Sequence, residues 1–582
     1  MRTRGSIIWT IGAISLLAAG AAGAQGNGAF ALHDGDRVVF YGDSITDQRL
    51  YTTITETYIA TRFPEMNIDF THSGWGGDRV SGGGGGPIDL RLQRDVFPYK
   101  PTVMTIMLGM NDAAYKAFDQ GIFDTYSNGY KHILDSVKTN DPGVRYTLIV
   151  PSPYDDTTRN ANFDGGYNSV LLKYGDFIKS LAPAYGATVA DFNTPVVAML
   201  QKAKATDADL SQKIIPDRVH PGYSGHLIMA EALLKSWNAP SIVTKVQIDA
   251  KGKKVVTADN TKVSDLKTGM VISWTQNDNA LPMPLDTNDA ATALSLKSSD
   301  FMQALNQEPL QVTGLKDGSY TLTIDGTEVG DLSAQDLAAG VNLATLPTPM
   351  LSQAMDVRKL TLQHDDQHFH KWRDIQVPGQ TNKNAAMQKA LPAYLAALDS
   401  EEADTVAARH DAAQPKPHHY ALTLAAPEPD PALALKPLNG LNLAVGKSYT
   451  ASDPNVYNYG IGALTDGSWV PDGHTFATGD NAAFPKTVTV DLGSAQKIGT
   501  VIIGVPPFGS TKTVRVSVSA DGQKFTGVGK AAFSLHKEEK QRFSFPGTSA
   551  RYVRLTYVDH YSEEAGYSAN FGFTTELEVY AP

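Results

Sequence analysis

The chain has 582 residues, of which 42% are hydrophobic and 19% are charged, a composition typical of soluble globular proteins. This length is too great for one hydrophobic core and predicts two to four domains. The net charge of −11 disfavours nucleic acid and anionic membranes as main partners, because both require a cationic surface. The sequence contains no cysteine, which excludes disulfides, thiolate catalysis and Cys-ligated zinc.

The N-terminus has the pattern of an export signal. Two arginines precede an apolar stretch from Ile7 to Ala22, and small residues follow up to Ala24. We therefore predict a signal peptide over residues 1–24 and a secreted or periplasmic protein of the bacterial envelope. A membrane anchor is the alternative interpretation, but the apolar stretch is shorter than the roughly 20 residues that span a bilayer. No membrane partner is expected after cleavage.

Residues 30–240 alternate short runs of β-forming residues with segments of helical spacing. The predicted strands are Val38–Tyr41, Ile68–Phe70, Val103–Leu108, Tyr146–Val150 and Ala187–Ala190, and the predicted helices include Thr46–Arg62, Thr125–Thr139 and Ser169–Leu181. Such alternation predicts right-handed crossovers and a parallel sheet with helices on both faces. Ligand sites in such a sheet lie at the carboxyl ends of its strands.

Residues 241–425 predict a mixed, mostly β accessory region with helices at its end. The predicted strands are Thr244–Ile248, Val271–Trp274 and Tyr320–Ile324, and helices are predicted over Asn382–Leu398 and near Ser400–His410. His364, His368 and His370 could form a metal cluster, but their polar surroundings favour a solvated strand or loop. Residues 426–440 are rich in proline and predict an extended linker.

Residues 441–582 contain short β-forming runs between turn signals and almost no helical pattern. The runs include Thr487–Leu492, Thr500–Val505, Val514–Ser519, Phe543–Phe545, Tyr552–Tyr557 and Leu577–Tyr580. Strands at this spacing predict an antiparallel β-sandwich.

Four short blocks in residues 30–240 carry residues suited to nucleophilic chemistry. Ser44 directly follows a predicted strand, so its hydroxyl is expected at the carboxyl edge of the sheet beside a helix N-terminus. The alternative for Ser44 is an ordinary helix cap. The second block, Gly74–Arg79, follows the second strand, and its glycines let a backbone N–H approach a ligand.

The third and fourth blocks add a side-chain amide and an imidazole with a carboxylate. Asn111 follows the third strand and could donate to a developing oxyanion, or could cap the next helix. Asp217 precedes His220 by three residues, so on a tight turn the carboxylate can bind one ring nitrogen and fix the tautomer.

Together and in this order, the four blocks resemble the SGNH (GDSL-like) hydrolase family over roughly residues 36–240. The resemblance implies a three-layer α/β flavodoxin-like fold and a serine esterase. It implies Ser44 as the nucleophile, His220 as the general base and Asp217 as the residue that orients it. The oxyanion hole would be formed by the backbone N–H groups of Ser44 and Gly77 and the side chain of Asn111. Relatives often carry Asn where His72 and Ser73 stand here, which leaves Gly74 as an alternative donor to Gly77. No cofactor is needed for this chemistry.

The C-terminal region is similar to discoidin or coagulation-factor type C domains, a galactose-binding-like jelly roll. The similarity rests on Asn442–Ala444, Ala463–Trp469, Val490–Gly493, Val516–Gly522 and Ala550–Leu555. Relatives often hold a structural calcium ion, and Asp466 and Glu576 match the positions of its ligands, although a solvated turn and a strand-end Glu explain these two residues equally well. Candidate sugar contacts are Trp75 in the first domain and Tyr457, Tyr459, Trp469 and His474 in the last.

These features favour a secreted serine esterase that removes acyl groups, first of all acetyl, from a polysaccharide or oligosaccharide. The expected partner is therefore an acylated carbohydrate, which a carbohydrate-binding domain would concentrate near the esterase. Two alternatives are a lipase or arylesterase with broad small-ester activity, and a glycan-binding adhesion protein with an inactive hydrolase domain. The sequence does not indicate the sugar, the acyl position or the oligomeric state.

Overall fold

The computed structural model describes residues 28–287, 289–425, 438, 440–457, 460, 462–471, 475–562 and 570–582. The described residues up to Thr423 form one compact unit, and those from Leu424 onward form a second. The predicted signal peptide and nearly all of the predicted proline-rich linker lie outside the described residues. None of the helices in the described part of the chain combines the length and apolarity that a bilayer crossing requires.

The chain alternates strands and helices up to Ser236, as the sequence predicts. In order, the elements are β1 (Arg37–Gly42), α1 (Ser44–Asp47), α2 (Leu50–Arg62), β2 (Asp69–Gly74), β3 (Gly82–Gly83), β4 (Gly86–Pro87), α3 (Ile88–Asp95), β5 (Val103–Met107), α4 (Gln120–Asn140), β6 (Arg145–Val150), α5 (Gly166–Tyr185), β7 (Thr188–Asp191), α6 (Thr194–Thr206), α7 (Ala208–Ser211) and α8 (Tyr223–Ser236).

A five-stranded parallel sheet forms the centre of this region, in the order β2-β1-β5-β6-β7. Every residue of β5 is buried, and so are five of the six residues of β1, because helices cover both faces of the sheet. This strand order is that of the flavodoxin-like class, in which the carboxyl end of the first strand borders the ligand crevice. The predicted α/β fold is confirmed.

The predicted helix over Thr46–Arg62 is two helices rather than one. Arg49 lies between α1 and α2 with a φ of 59°, and this left-handed conformation interrupts the helical hydrogen bonds. The first helix therefore ends at Asp47 and the second begins at Leu50.

The accessory region continues with mixed elements. They are β8 (Lys245–Asp249), β9 (Lys254–Asp259), β10 (Thr261–Lys267), β11 (Val271–Asp278), α9 (Ala290–Ser298), α10 (Phe301–Leu305), β12 (Pro309–Thr313), β13 (Ser319–Ile324), β14 (Thr327–Ser333), α11 (Ala334–Ala339), β15 (Val341–Asn342), α12 (Pro349–Phe369), a π-helical stretch (His370–Gln376), α13 (Val377–Thr381), α14 (Ala385–Ala413) and β16 (Pro417–Leu424). Two sheets result, in the orders β10-β11-β16-β13-β14 and β15-β12-β8-β9. Their core includes Trp274 stacked on Tyr420 with ring centroids 5.1 Å apart.

The long helices of the accessory region differ most from the sequence prediction. The two helices predicted over Asn382–Leu398 and near Ser400–His410 are one continuous helix, α14. The other long helix of this region, α12, was not predicted. The expectation that His364 and His368 lie in a solvated strand or loop is wrong, since both are buried on α12.

The second unit is built from antiparallel strands. They are β17 (Tyr449–Ala451), β18 (Phe476–Ala477), β19 (Lys486–Val505), β20 (Thr511–Ser519), β21 (Thr526–Ala532), β22 (Glu539–His560), β23 (Phe573–Thr574) and β24 (Glu576–Tyr580). The main sheet has the order β17-β19-β22-β20-β21, β24 also pairs with β19, and β18 pairs with β23. Register shifts divide the long strands β19 and β22, so each predicted pair of short strands is one bulged strand. The predicted β-sandwich is confirmed.

Candidate active site

Ser44 lies at the carboxyl edge of the sheet, where β1 ends. The side chain of Asp43 caps the following helix by accepting a hydrogen bond of 3.0 Å from the Ile45 N–H. This cap leaves Ser44 as the first residue of α1, half-buried, with its hydroxyl free of any capping role. The alternative interpretation of Ser44 as a helix cap is therefore wrong.

Three predicted side chains form one chain of hydrogen bonds. The His220 Nε2 atom lies 2.8 Å from the Ser44 hydroxyl, and the His220 Nδ1 atom lies 2.7 Å from the Asp217 carboxylate. An imidazole held in this way can accept a proton from a hydroxyl at Nε2 while Nδ1 stays protonated toward the carboxylate. The structure thus brings together residues that are 176 positions apart in sequence.

Asp217 is held by the turn that it shares with His220. Its Oδ1 atom accepts hydrogen bonds from the backbone N–H groups of Val219 and His220, at 2.9 Å and 2.7 Å. Partial burial raises the pKa of Asp217, but the hydrogen bonds from the His220 amide, the His220 ring and the Val219 amide outweigh it and lower that pKa. The carboxylate therefore stays ionised beside the imidazole.

The glycine-rich segment after β2 lies beside both α1 and Asn111. The Gly76 N–H donates to the Asp47 carboxylate at the end of α1 (3.0 Å), and the Asn111 Nδ2 donates to the Asp78 carbonyl (3.1 Å). Gly77, between these two anchors, is exposed and has a φ of 77°, a conformation that favours glycine. Gly74, by contrast, is buried against the backbone of α1. This geometry favours Gly77 over Gly74 as the residue that presents an N–H group to a ligand.

Tyr115 is a part of this cleft that sequence analysis missed. Its hydroxyl donates to the Asn111 Oδ1 at 2.9 Å, and its ring stacks on Tyr167 with centroids 5.1 Å apart. With its oxygen bound by Tyr115, the Asn111 side chain keeps its amide group directed to the glycine segment. In the sequence, the only sign of this contact is that Tyr115 lies four residues after Asn111.

Two buried carboxyl groups lie behind the cleft. Burial, with the nearby Asp112 and Asp78 charges, raises the pKa of Asp43 to about 7. Burial also raises the pKa of Asp112 to about 7, although its Oδ1 accepts a hydrogen bond from the Val80 N–H. Both groups therefore lose their protons near neutral pH.

Trp75 is packed by residues of the accessory region. The Arg373 guanidinium lies 3.6 Å from its ring centroid, and the Trp372 ring meets it edge-on at 5.6 Å. Its role as a sugar contact stays a prediction.

The candidate sugar contacts of the second unit are only partly described. Tyr459 and His474 lie outside the described residues. Tyr457 is exposed and its hydroxyl donates to Asp480 (2.7 Å). Trp469 donates from its indole nitrogen to Glu578 (3.0 Å), and the Lys540 ammonium lies 4.2 Å from its ring centroid.

Asp466 and Glu576, the predicted calcium ligands, lie together in the second unit. Burial and the neighbouring Asp466 charge raise the pKa of Glu576 to about 9. The Glu576 Oε2 accepts from the Gly467 N–H (3.1 Å), whereas its buried Oε1 has no hydrogen-bond partner among the described residues. A buried carboxylate oxygen of this kind beside a second carboxylate suits a hard cation.

The buried Asp43 carboxyl makes the stability of the fold depend on pH. Its pKa in the folded state, about 7, exceeds the ordinary 3.8, so its contribution is fully present below pH 3.8 and is lost as pH rises through 7. We expect Asp43→Asn, which keeps the capping oxygen, to gain stability relative to the native chain between pH 5 and pH 8. The gain over this interval cannot exceed roughly 3 kcal/mol. Urea unfolding at the two pH values measures it.

The exposed Asp69→Asn on β2 is the matched control for this experiment. A pH dependence that is the same in Asp43→Asn and the native chain would show that Asp43 carries no buried charge at pH 8.

Two family models match the chain. Residues 40–228 match the GDSL-like lipase/acylhydrolase family, and residues 463–555 match the NedA-like, galactose-binding domain. The first match contains Ser44, Gly77, Asn111, Asp217 and His220.

Among known proteins, the chain is similar to an acetylxylan esterase of Geobacillus stearothermophilus, with 25% identity over 34% of this chain and 93% of the relative. It is 22% identical to a GDSL esterase/lipase of Arabidopsis thaliana, over 35% of this chain and 87% of that relative. Among solved structures, it is similar to a gut microbial diltiazem-metabolizing enzyme, with 28% identity and a TM-score of 0.56. That similarity covers 68% of this chain and 98% of the solved chain.

The strand order of the sheet, the hydrogen-bonded side chains of the cleft and the family matches all indicate the same class of protein. The chain carries an esterase domain of the GDSL-like lipase/acylhydrolase family, followed by a C-terminal galactose-binding-like domain.

Proposed function

We propose that this protein is a secreted carbohydrate acetylesterase that uses Ser44 as its nucleophile, His220 as its general base and Asp217 as the residue that orients the base. The observation that carries the proposal is the hydrogen-bonded series Asp217–His220–Ser44 at the carboxyl edge of the sheet. A hydroxyl within 2.8 Å of a neutral ring nitrogen can lose its proton to that nitrogen as it attacks an ester carbonyl.

The reaction then proceeds in two stages. Attack by the Ser44 oxygen forms a tetrahedral intermediate, and protonated His220 gives its proton to the departing alcohol, which leaves an acyl-enzyme. His220 next removes a proton from water, and the water attacks the acyl carbonyl and releases the acid. The ionised Asp217 stabilises the imidazolium in both stages.

The negative oxygen of each intermediate is stabilised by donors from three segments of the chain. These donors are the Ser44 N–H at the start of α1, the exposed Gly77 N–H and the Asn111 side-chain amide. Asn111 donates one of its two amide hydrogens to the Asp78 carbonyl, so the second remains for the substrate. Donors that are already fixed in this way need no reorganisation when charge develops.

The substrate class is inferred from the relatives and the second unit. An acetylxylan esterase is among the relatives of the esterase domain, and the C-terminal region matches a galactose-binding family model. A sugar-binding domain on the same chain raises the local concentration of a polymeric substrate around the esterase. Export, as predicted from residues 1–24, would place the protein with such a polymer.

A broad small-ester esterase is the second candidate. The gut microbial diltiazem-metabolizing enzyme supports it, because the similarity extends over 68% of this chain and so beyond the 40–228 family match. An inactive, purely glycan-binding protein is disfavoured by the complete Asp217–His220–Ser44 series.

A panel of native acetylated polysaccharides and nitrophenyl esters of increasing chain length tests the proposal. We expect acetate release from at least one polysaccharide, no release by Ser44→Ala, and rapid loss of nitrophenyl ester activity beyond acetyl. A chain that ends at residue 425 should keep its rate on nitrophenyl acetate and lose rate on the polymer, because only the polymer engages the second unit. Efficient cleavage of long-chain or aryl esters without acetate release from any polymer would instead support the second candidate.

Asn111→Ala tests the proposed oxyanion hole. Loss of one preorganised donor typically lowers kcat by ~10²–10³, and the KM for nitrophenyl acetate should change little because the ground state gains less from this donor. Asn140→Ala, an exposed residue at the end of α4, is the matched control and should leave kcat unchanged. A kcat within threefold of the native value in Asn111→Ala would remove Asn111 from the mechanism.

We also propose that Asp466 and Glu576 hold a structural calcium ion. Calcium should raise the unfolding temperature of the second unit, since an ion that binds only the folded state stabilises it. Calorimetry with calcium and with excess chelator measures the shift. Glu576→Gln should abolish the response, whereas Glu578→Gln, on the same strand, should retain it. No response of the native chain would refute calcium binding.

A further inference from the structure

A buried polar cluster lies where α12 packs against the esterase domain. Glu56 on α2, His72 on β2 and Asp365 on α12 bring one side-chain ligand atom each to a common point, with all three atoms within 4.8 Å of one another. All three side chains are buried, with exposures of 2% or less. Among the described residues, these are the three His, Asp or Glu side chains whose ligand atoms lie close enough together to hold one metal ion.

The ligand atoms of the trio lie close enough together to share one metal ion. The His72 Nε2 atom lies 3.1 Å from the Glu56 Oε2 and 2.9 Å from the Asp365 Oδ1. Zinc bonds to nitrogen and carboxylate oxygen are about 2.0–2.2 Å long, so tetrahedral ligands lie roughly 3.3 Å apart. Small ligand movements would complete that geometry.

A second observation is a buried carboxylate oxygen that faces the same point and, among the described residues, is contacted only by imidazole rings. The nearest ring nitrogen to the Asp365 Oδ1 is the His72 Nε2, which lies 2.9 Å away. The Nδ1 of His364 lies 3.4 Å from this oxygen and 3.1 Å from the Glu56 Oε1, so His364 borders the same cluster of carboxylates. Buried carboxylates need a proton donor or a cation as partner, and a cation at the trio would satisfy the Glu56 and Asp365 oxygens together.

The other polar atom of each trio residue is fixed by a neighbour. The His72 Nδ1 lies 2.8 Å from the Thr52 hydroxyl, Thr53 donates to the second Asp365 oxygen, and Arg409 binds the second Glu56 oxygen. Supporting contacts of this kind orient metal ligands and fix the histidine tautomer. Here they leave His72 Nε2 as the atom directed to the carboxylates.

We propose that Glu56, His72 and Asp365 bind one divalent transition-metal ion, zinc first, as a structural site that clamps α12 onto α2 and β2. One imidazole and two carboxylates suit zinc and its neighbours in the first transition row. The site is closed and buried, and it lies on the strand that leads to Gly74 and the glycine-rich segment. It therefore acts on the position of that segment and takes no part in bond cleavage.

Metal content is the direct test. The full chain without an affinity tag, purified without chelator, should contain about one equivalent of zinc, or take up one equivalent of zinc or cobalt(II) but not calcium. Bound cobalt should give a visible spectrum with a nitrogen ligand, and a chelator selective for transition metals should lower the unfolding temperature of the first unit. Native chain that neither contains nor binds zinc or cobalt would overturn the proposal.

Variants decide which residues hold the ion. His72→Gln and Asp365→Asn should each lower zinc affinity at least tenfold, while His132→Gln, an exposed histidine of α4, and Ser44→Ala should retain it. Should the first two variants fail to fold, X-ray absorption of the cobalt-loaded native chain replaces them and should show one imidazole among oxygen ligands. Unchanged affinity in both variants, or an absorption spectrum without imidazole, would show that the cluster is a metal-free ion-pair network.

Discussion

The hydrogen bond between Ser44 and His220 is the constraint on which the proposed chemistry depends, and a buried contact beside the cleft supports it. His220 lies three residues before the start of α8, and α8 carries the buried His226. The Nδ1 of His226 accepts from the Tyr51 N–H (3.2 Å), and its Nε2 lies 3.1 Å from the Gln48 side chain. Burial, together with the neighbouring His220 ring, lowers the pKa of His226 to about 3, so this ring stays neutral and can accept. The start of α8 is thus tied to the segment that follows Ser44.

The accessory region belongs to the esterase unit and holds the glycine segment from its far side. Arg373, in the π-helical stretch, donates to Asp47 (2.6 Å) and to the Gly74 carbonyl (3.1 Å). Asp47 also accepts from the Gly76 N–H, so one carboxylate joins the accessory region, α1 and the proposed oxyanion loop. The accessory region is therefore a support for the cleft.

Sequence patterns predicted those strands and helices whose own residues show the spacing that is typical of a strand or a helix. The buried strands β1, β5 and β6 were found because β-forming runs mark them, and the cleft residues Ser44, Asn111 and His220 follow strand ends or precede a helix. The helix α12 escaped prediction because its apolar face is interrupted by buried polar residues such as His364, Asp365 and His368. Their partners lie on α2, β2 and α14, and such long-range pairing leaves no local periodicity.

The ion pairs around the glycine segment show why it is held by polar rather than apolar contacts. Buried Arg91 binds Asp78 (2.8 Å), the residue after Gly77, and also donates to the Ser73 carbonyl (2.7 Å). Burying such charges costs solvation energy that their attraction only partly restores, and apolar packing of equal volume would often be more stable. An apolar contact, however, does not fix the direction of a backbone N–H, whereas a guanidinium that binds a carboxylate and a carbonyl on either side of the loop does. The Arg91 network therefore fixes the direction of the backbone on both sides of the proposed oxyanion loop.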